Sequence, residues 1–550
     1  MERKLLSCGK KSQWVNLRKN TILNSKNKKF LEAGLMILIV FVLSILTLSA
    51  ANPNSNPPGR DGGFFLYVGK TIRSGSKLYI DIWDSKGPLI FWINAIGVGS
   101  DYSRWGLFFI ELSFLSSALF LSYWIIKRQY GFLPALGTIV MGSYFLKFVI
   151  GTGNYTEEYS ILFTWLAIAA FAFYINNSKK NFWPFYIMGV TFFLNFLLRA
   201  NNIGTQAVVI LVALYCVFNK QKAAEFWKVL SFLIIGALTV AIPTSLYFIM
   251  NGNFKAMIDA SILYNFAYST SRNNSFSNCL GPAINIFNNW FYVFITLWLF
   301  AARKLVLGLK QKVFDPFILL TVFAFPMEVL MSSVSGRGYG HYFICWIPAV
   351  MLLLAFGLSI IQSEAIKTSF RQKCETKYST FILGFLLFVA IASSFDMVYS
   401  TANLLAANLI PPNTNFDYQD SVSKVVNSLT NESDKVLVFG GQAGINIMAQ
   451  RDSIKGALFY PGINDSEIGL AVQDKFFENL QEEPPLLILD GHRYLSQQIP
   501  AIDPMERQSQ RFVVNFSRNV EEVLDWINTH YERFDEANDY IIYRYRGDFN

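Results

Sequence analysis

Asp61, Asp84 and Lys86 fall within one stretch of polar and turn residues, from Gly59-Arg60-Asp61-Gly62-Gly63 to Trp83-Asp84-Ser85-Lys86-Gly87-Pro88. A positioned carboxylate such as Asp61 is a candidate general base, able to take the proton of an attacking hydroxyl. A fixed lysine suits charge that develops on a leaving anion. Gly and Pro set the turns that would hold both. Other ionisable residues stand beside apolar segments: Lys147, the adjacent Glu157 and Glu158 in Gly153-Asn154-Tyr155-Thr156-Glu157-Glu158-Tyr159, and Arg337 and His341 in Gly336-Arg337-Gly338-Tyr339-Gly340-His341. Each has a plainer reading as well. Asp61 is a favoured helix cap, Lys86 and Lys147 are of the type that snorkels at an interface, and His341 suits a packed core.

The elements that must position these residues are membrane helices. Of 550 residues, 53% are hydrophobic and 15% charged, with 51 Phe, 26 Tyr and 12 Trp. A soluble chain could not hide so much apolar surface, and a span needs only about 20 such residues. Apolar runs recur at 30–50, 105–126, 131–150, 159–175, 182–200, 203–218, 229–250, 283–301, 315–333, 342–361 and 379–399, which predicts eleven spans. Nine Lys/Arg precede Phe30, and the loops assigned to the same side carry Lys127-Arg128, Lys179-Lys180, Lys220/Lys222/Lys228, Arg303/Lys304/Lys310/Lys312 and Lys367/Arg371/Lys373/Lys377. Basic loops stay inside. The amino terminus is therefore expected in the cytoplasm and the carboxy terminus outside, with 30–50 as an uncleaved first helix. The net charge of +9 is explained by this orientation rather than by nucleic acid.

Ionisable residues inside spans are functional pointers. Here they sit toward the outer ends: Glu111, Lys147, Arg199, Glu328 and Asp396, with Glu32 alone at the cytoplasmic edge. That one-sided pattern predicts a polar cavity opening outward, whereas an alternating-access carrier needs charges or broken helices near the midplane. From Pro411 the character changes. Lys435–Gly440, Pro485–Asp490 and Tyr540–Tyr545 are of strand length, and Ser466–Leu480 and Val520–Phe534 are apolar at helical spacing. A small α/β domain outside the membrane is expected. The chain thus divides into a basic segment 1–29, a transmembrane part 30–410 with a long first outer loop 51–104, and an extracytoplasmic part 411–550. Gly440-Gly441-Gln442-Ala443-Gly444 lacks GxGxxG spacing and reads as a βα turn. The five cysteines (Cys8, Cys216, Cys279, Cys345, Cys374) form no CxxC pair, so neither a disulfide framework nor a thiolate metal site follows.

Three groups of residues carry a family resemblance. They are Arg60-Asp61 with Leu78-Tyr79-Ile80-Asp81, then Trp83-Asp84-Ser85-Lys86-Gly87-Pro88-Leu89 leading into Phe91-Trp92-Ile93-Asn94, then Gly336 to Phe343 running toward Pro348. Together they resemble the polyprenyl-phosphate-dependent glycosyltransferases of the GT-C type, in the bacterial branch related to protein O-mannosyltransferases and the lipid A aminoarabinose transferase. The resemblance covers the membrane part and, more loosely, the outer domain. It implies a GT-C fold, a catalytic Asp61, and contact of Lys86 to the phosphate of the lipid donor. As fixed cations, Arg337 or Lys147 would help Lys86 hold that phosphate, and Arg60, Asp84 and His341 are candidate supporting residues. A second acid often follows the first in this family, but Gly62 stands there, and the role passes to Glu157 or Glu158 without a choice between them. A divalent metal between Asp61 and a glutamate stays an open alternative, since no ligand spacing specifies one. The donor is already activated, so no ATP motif is required. The expected activity is transfer of a sugar, with inversion, from a polyprenyl phosphate to a glycan, lipid or protein acceptor at the outer face of the plasma membrane. A flippase for lipid-linked sugars and a non-catalytic glycan-binding or assembly protein are the competing classes.

Overall fold

The computed structural model describes residues 31–54, 56–99, 102–177, 181–220, 223–270, 277–370, 417–459, 465–495, 498–512 and 516–547. The basic segment before residue 30, Lys179, Lys180, Lys222, Arg371, Lys373, Lys377, the apolar run 379–399 with Asp396, and the division set at 410/411 lie outside the described residues.

The first apolar run forms α1 (Leu31–Thr47). The connection that follows folds into two short helices, α2 (Arg60–Arg73) and α3 (Pro88–Gly97). Pro88 opens α3 at the position where its missing N–H leaves nothing unbonded. Long apolar helices come next: α4 (Trp105–Tyr130), α5 (Phe132–Ile150), α6 (Thr156–Asn176), α7 (Trp183–Leu198), α8 (Gly204–Lys220) and α9 (Ala223–Met250). Short helical pieces at Phe254–Ile258, Asp259–Leu263 and Tyr264–Thr270 lead on. Then come α10 (Ser277–Phe287), α11 (Asn289–Lys310), α12 (Pro316–Ser333) and, after a 3₁₀ turn at Gly340–Cys345, α13 (Trp346–Phe370). Among the described residues, seven helices are long and apolar enough to cross a bilayer, and α1, α3, α7 and α8 are shorter apolar ones. The protein is a multi-pass membrane protein. α9 and α11 keep much of their apolar surface exposed, for example at Trp227, Ile235, Ile242, Leu299 and Leu309, as helices facing lipid do. α13 is instead buried from Trp346 to Gly357.

The C-terminal part carries α14 (Asp417–Leu429), β1 (Val436–Phe439), α15 (Gly444–Ala449), α16 (Glu467–Glu482), β2 (Leu487–Asp490), α17 (Pro504–Ser509), α18 (Val520–His530), β3 (Tyr531–Ala537) and β4 (Tyr540–Tyr545). The strand order is β1-β2-β4-β3, with β1/β2 parallel and the other two pairs antiparallel. Gly440–Gly444 is the βα turn expected of it. The helical spacing read through Phe534 stops short, because α18 ends at His530 and β3 begins at Tyr531. Glu532, Arg533, Asp535 and Glu536 are exposed on this edge strand, where charge blunts further pairing and disguises the strand in sequence.

Candidate active site

A cavity of about 690 Å³ lies where the first turn of α2, the 83–88 loop, the end of α7, the 257–266 pieces and the α12–α13 connection converge on the C-terminal part. Its wall is largely aromatic and aliphatic, as at Phe193, Phe196, Leu197, Ile262 and Met331. Six of the candidate site residues named from the motifs line it together: Arg60, Asp61, Asp84, Lys86, Arg337 and His341.

Asp61 is not the cap of α2. The N-cap position is Gly59, and Asp61 stands in the first turn. Arg60 Nε donates to its Oδ1 at 3.2 Å, and His341 Nε2 lies 3.9 Å from Oδ2. Burial pushes the carboxyl up, but Arg60, then His341 and Lys86, outweigh it and hold the group below its ordinary value of 3.8. Asp61 is therefore ionised at neutral pH, as an acceptor of protons must be.

Lys86 is held by its own loop. The Asp84 carboxylate accepts the Lys86 backbone N–H at 2.7 Å, an Asx turn. Tyr79 Oη donates to the Lys86 carbonyl at 2.8 Å, and Asn265 Nδ2 donates to the Ser85 carbonyl at 2.7 Å. Gly87 presses on the end of α7: a Cβ there would stand 2.0 Å from the Leu197 carbonyl oxygen. Only glycine permits that approach, and it brings Lys86 beside Arg199. Burial acts to lower the ammonium's pKa, yet Asp84 and Asp61 leave it above the ordinary lysine value. Asp84 is raised, by burial first, with Lys86 pulling the other way. The lysine stays charged.

The adjacent acids Glu157 and Glu158 part company. Glu157 ion-pairs with Arg199, whose guanidinium also lies 3.9 Å over the Tyr342 ring. Arg199 lines the cavity, so Glu157 stands behind a cavity cation. Glu158 is turned elsewhere and accepts the Asn154 backbone N–H at 2.9 Å, beside Glu111. His341 stacks between Tyr155 and Tyr339, with ring centroids at 4.6 and 5.8 Å, and Arg337 donates to the Tyr339 hydroxyl. Lys147 stands in the last turn of α5 and is not among the lining residues. Arg199 is the site residue that the motifs missed. Its signal was a charge at the end of an apolar run, which says nothing about what it faces.

The C-terminal part closes one side of the cavity with Gly441, Leu458 and Phe459. It is seated on α2: the Tyr67 hydroxyl accepts the Ser453 N–H at 2.7 Å, Lys70 pairs with Asp452, and Gly456 N–H reaches the Asp81 carbonyl at 2.6 Å. Phe459 packs edge-on against Phe64 and Tyr67. A metal is a poor match for this donor set. Among the described residues no three of His, Cys, Asp and Glu are placed to hold a metal ion together, and Asp61 and Glu157 already face guanidinium groups.

Comparison with known proteins places this arrangement in context. Residues 23–405 match the family model of the competence-induced protein Ccs4 N-terminal domain, and the chain belongs to that family. No curated protein matches it by sequence. Among solved structures it is similar to ArnT from Cupriavidus metallidurans bound to undecaprenyl phosphate, with a TM-score of 0.55 at 12% identity over 92% of this chain and 97% of that one. The apo state of the same ArnT aligns with a TM-score of 0.54 at 13% identity over 84% and 93%. The chain has the GT-C fold.

Proposed function

We propose that this member of the Ccs4 N-terminal domain family is a glycosyltransferase, moving a sugar from a polyprenyl phosphate to an acceptor hydroxyl at the outer face of the plasma membrane. One observation carries the reading: Asp61 and Lys86, distant in sequence from Arg199 and Arg337, line a single cavity with them, and most of the remaining wall surface is apolar. Such a cavity suits a ligand with an anionic head and a long hydrocarbon tail. The structural likeness to ArnT bound to undecaprenyl phosphate supports the same donor class.

In this reading the donor phosphate lies against Lys86, Arg199 and Arg337, and the prenyl chain follows the Phe193, Phe196 and Leu197 wall. The acceptor hydroxyl attacks the anomeric carbon from the face opposite the phosphate. A new C–O bond forms, the bond to the phosphate oxygen breaks with its electron pair, and the hydroxyl proton passes to Asp61. The sugar is inverted and polyprenyl phosphate departs with one more negative charge. The fixed cations stabilise that charge where water is scarce. A carboxylate with a lowered pKa takes the proton late, once the acceptor oxygen has largely bonded to carbon. No step is routed through a metal.

The test is release of undecaprenyl phosphate. Purified full-length protein in nanodiscs is incubated with a panel of undecaprenyl-phosphate sugars, and the freed lipid phosphate is measured. Cleavage of one donor, lost in Asp61→Asn, is the expected result. No freed lipid phosphate from any donor in nanodiscs, with donors crossing the bilayer intact in sealed proteoliposomes, would make the protein a flippase.

A further inference from the structure

Asn154 sits between α5 and α6 in left-handed backbone, φ +59°, and is buried with Glu111, Glu158, Asn94 and Tyr159. Asn tolerates this conformation better than most residues do. Its backbone N–H is taken by two carboxylates, Glu111 Oε1 at 2.5 Å and Glu158 Oε2 at 2.9 Å. Gly153 lets the first one in, since a Cβ there would stand 2.4 Å from Glu111 Oε1. The side chain is engaged on every atom it offers. Nδ2 donates to the Gly62 carbonyl at 2.9 Å and to Asn94 Oδ1 at 2.8 Å. Oδ1 accepts from Asn94 Nδ2 and from the Tyr159 hydroxyl, both at 3.0 Å.

The partners matter more than the count. Gly62 follows Asp61 in the first turn of α2. Asn94 lies on α3, which begins two residues after Lys86. One amide therefore ties the segment carrying Asp61 to the segment carrying Lys86, and neither acid that clamps its backbone lines the cavity.

We propose that Asn154, clamped by Glu111 and Glu158, is a positioning residue that sets the separation of Asp61 from Lys86. This rests on the reading of the cavity as a site of sugar transfer. The two ends of that reaction, proton acceptance and phosphate stabilisation, must stay in line, and a misplacement of about 1 Å costs on the order of a hundredfold in rate. The two helices share the contact without any direct bond between Asp61 and Lys86 to fix it.

Two variants separate positioning from mere stability. Asn154→Gly keeps the left-handed backbone and the N–H for both acids but removes the amide. Asn154→Asp keeps the shape and loses the Nδ2 donor. In full-length protein held in nanodiscs, hydrogen exchange of the 60–69 and 88–97 segments should rise at least about tenfold in both variants, with little change in the remaining helices. On a donor cleaved by the wild type, kcat should fall about a hundredfold while KM stays within about threefold. Should neither variant fold, Asn94→Asp removes the returned bond from Asn94 and should give the same split in smaller measure. A fall in melting temperature with kcat unchanged, or exchange unaltered in both segments, would overturn the proposal. If the wild type releases no undecaprenyl phosphate from any donor, it is the transfer reading that fails, and the exchange result alone decides whether Asn154 anchors the two segments.

Discussion

Gly63 in α2 lies against Gly444, the first residue of α15, so closely that a Cβ on Gly63 would stand 2.9 Å from the Gly444 Cα. Backbone meets backbone at the seam between α2 and the C-terminal part, two residues from Asp61. Gly63→Ala has no flexible side chain to push aside. It should destabilise the protein by about 1–3 kcal/mol, the range for overpacking, and loosen the Phe459 wall. A melting temperature equal to wild type would mean that the seam yields easily.

Asp61→Asn should preserve expression and undecaprenyl phosphate binding while lowering turnover at least about a hundredfold, the loss of a general base. The lowered pKa sets the pH dependence. A base must be ionised, and Asp61 loses its charge only as pH falls below its ordinary 3.8, so its titration should leave the rate flat from about pH 5 to 7. Arg60→Gln removes the largest force holding the group down and should move the acid limb upward. A pH–rate profile with an acid limb near about pH 6 in the wild type would assign the essential proton to another group.

Lys86→Ala should weaken undecaprenyl phosphate binding and slow single turnover about a hundredfold or more, because charge on the phosphate grows along the reaction. Lys86→Arg should rescue in part, since a planar guanidinium does not reproduce a compact ammonium in a loop fitted by Asp84 and Tyr79. Full activity in Lys86→Gln would reduce the residue to an interfacial lysine.

Glu157 and Glu158 should answer differently to the same substitution. Glu157→Gln breaks the pair with Arg199 and leaves a buried guanidinium beside Tyr342, a loss of about 3–5 kcal/mol for buried pairs. Glu158→Gln retains an oxygen for the Asn154 N–H and should lose less than about fivefold in rate. Thermal unfolding and donor turnover of the two variants check this; equal losses would refute the division of roles.

The basic loops predict an orientation that labelling can test. In a background lacking Cys8 and Cys374, Lys310→Cys should be shielded from an impermeant thiol reagent in intact cells, and Glu432→Cys should label. Labelling at 310 from outside would reverse the topology and move the cavity to the cytoplasmic face.

Helix after helix was legible in the order of residues because lipid imposes a local rule: about 20 apolar residues in a row can only be a span. The strands β1, β2 and β4 were legible for a related reason, since buried strands are short continuous apolar runs. The charged edge strand β3 obeys no such rule, and its Glu532 and Arg533 passed for one face of a helix. Asp61 and Lys86, which line the cavity, were singled out through their motifs, which are local. What remained hidden was decided by contacts between distant positions. Arg199 becomes a cavity residue only when α7 ends against Gly87. Glu157 and Glu158 differ only because successive residues on a helix point about 100° apart, toward Arg199 in one case and Asn154 in the other. Asn94 and Asn154 meet across 60 residues, and Lys70 and Asp452 across 382. No window along the chain contains those pairs, and packing alone creates them.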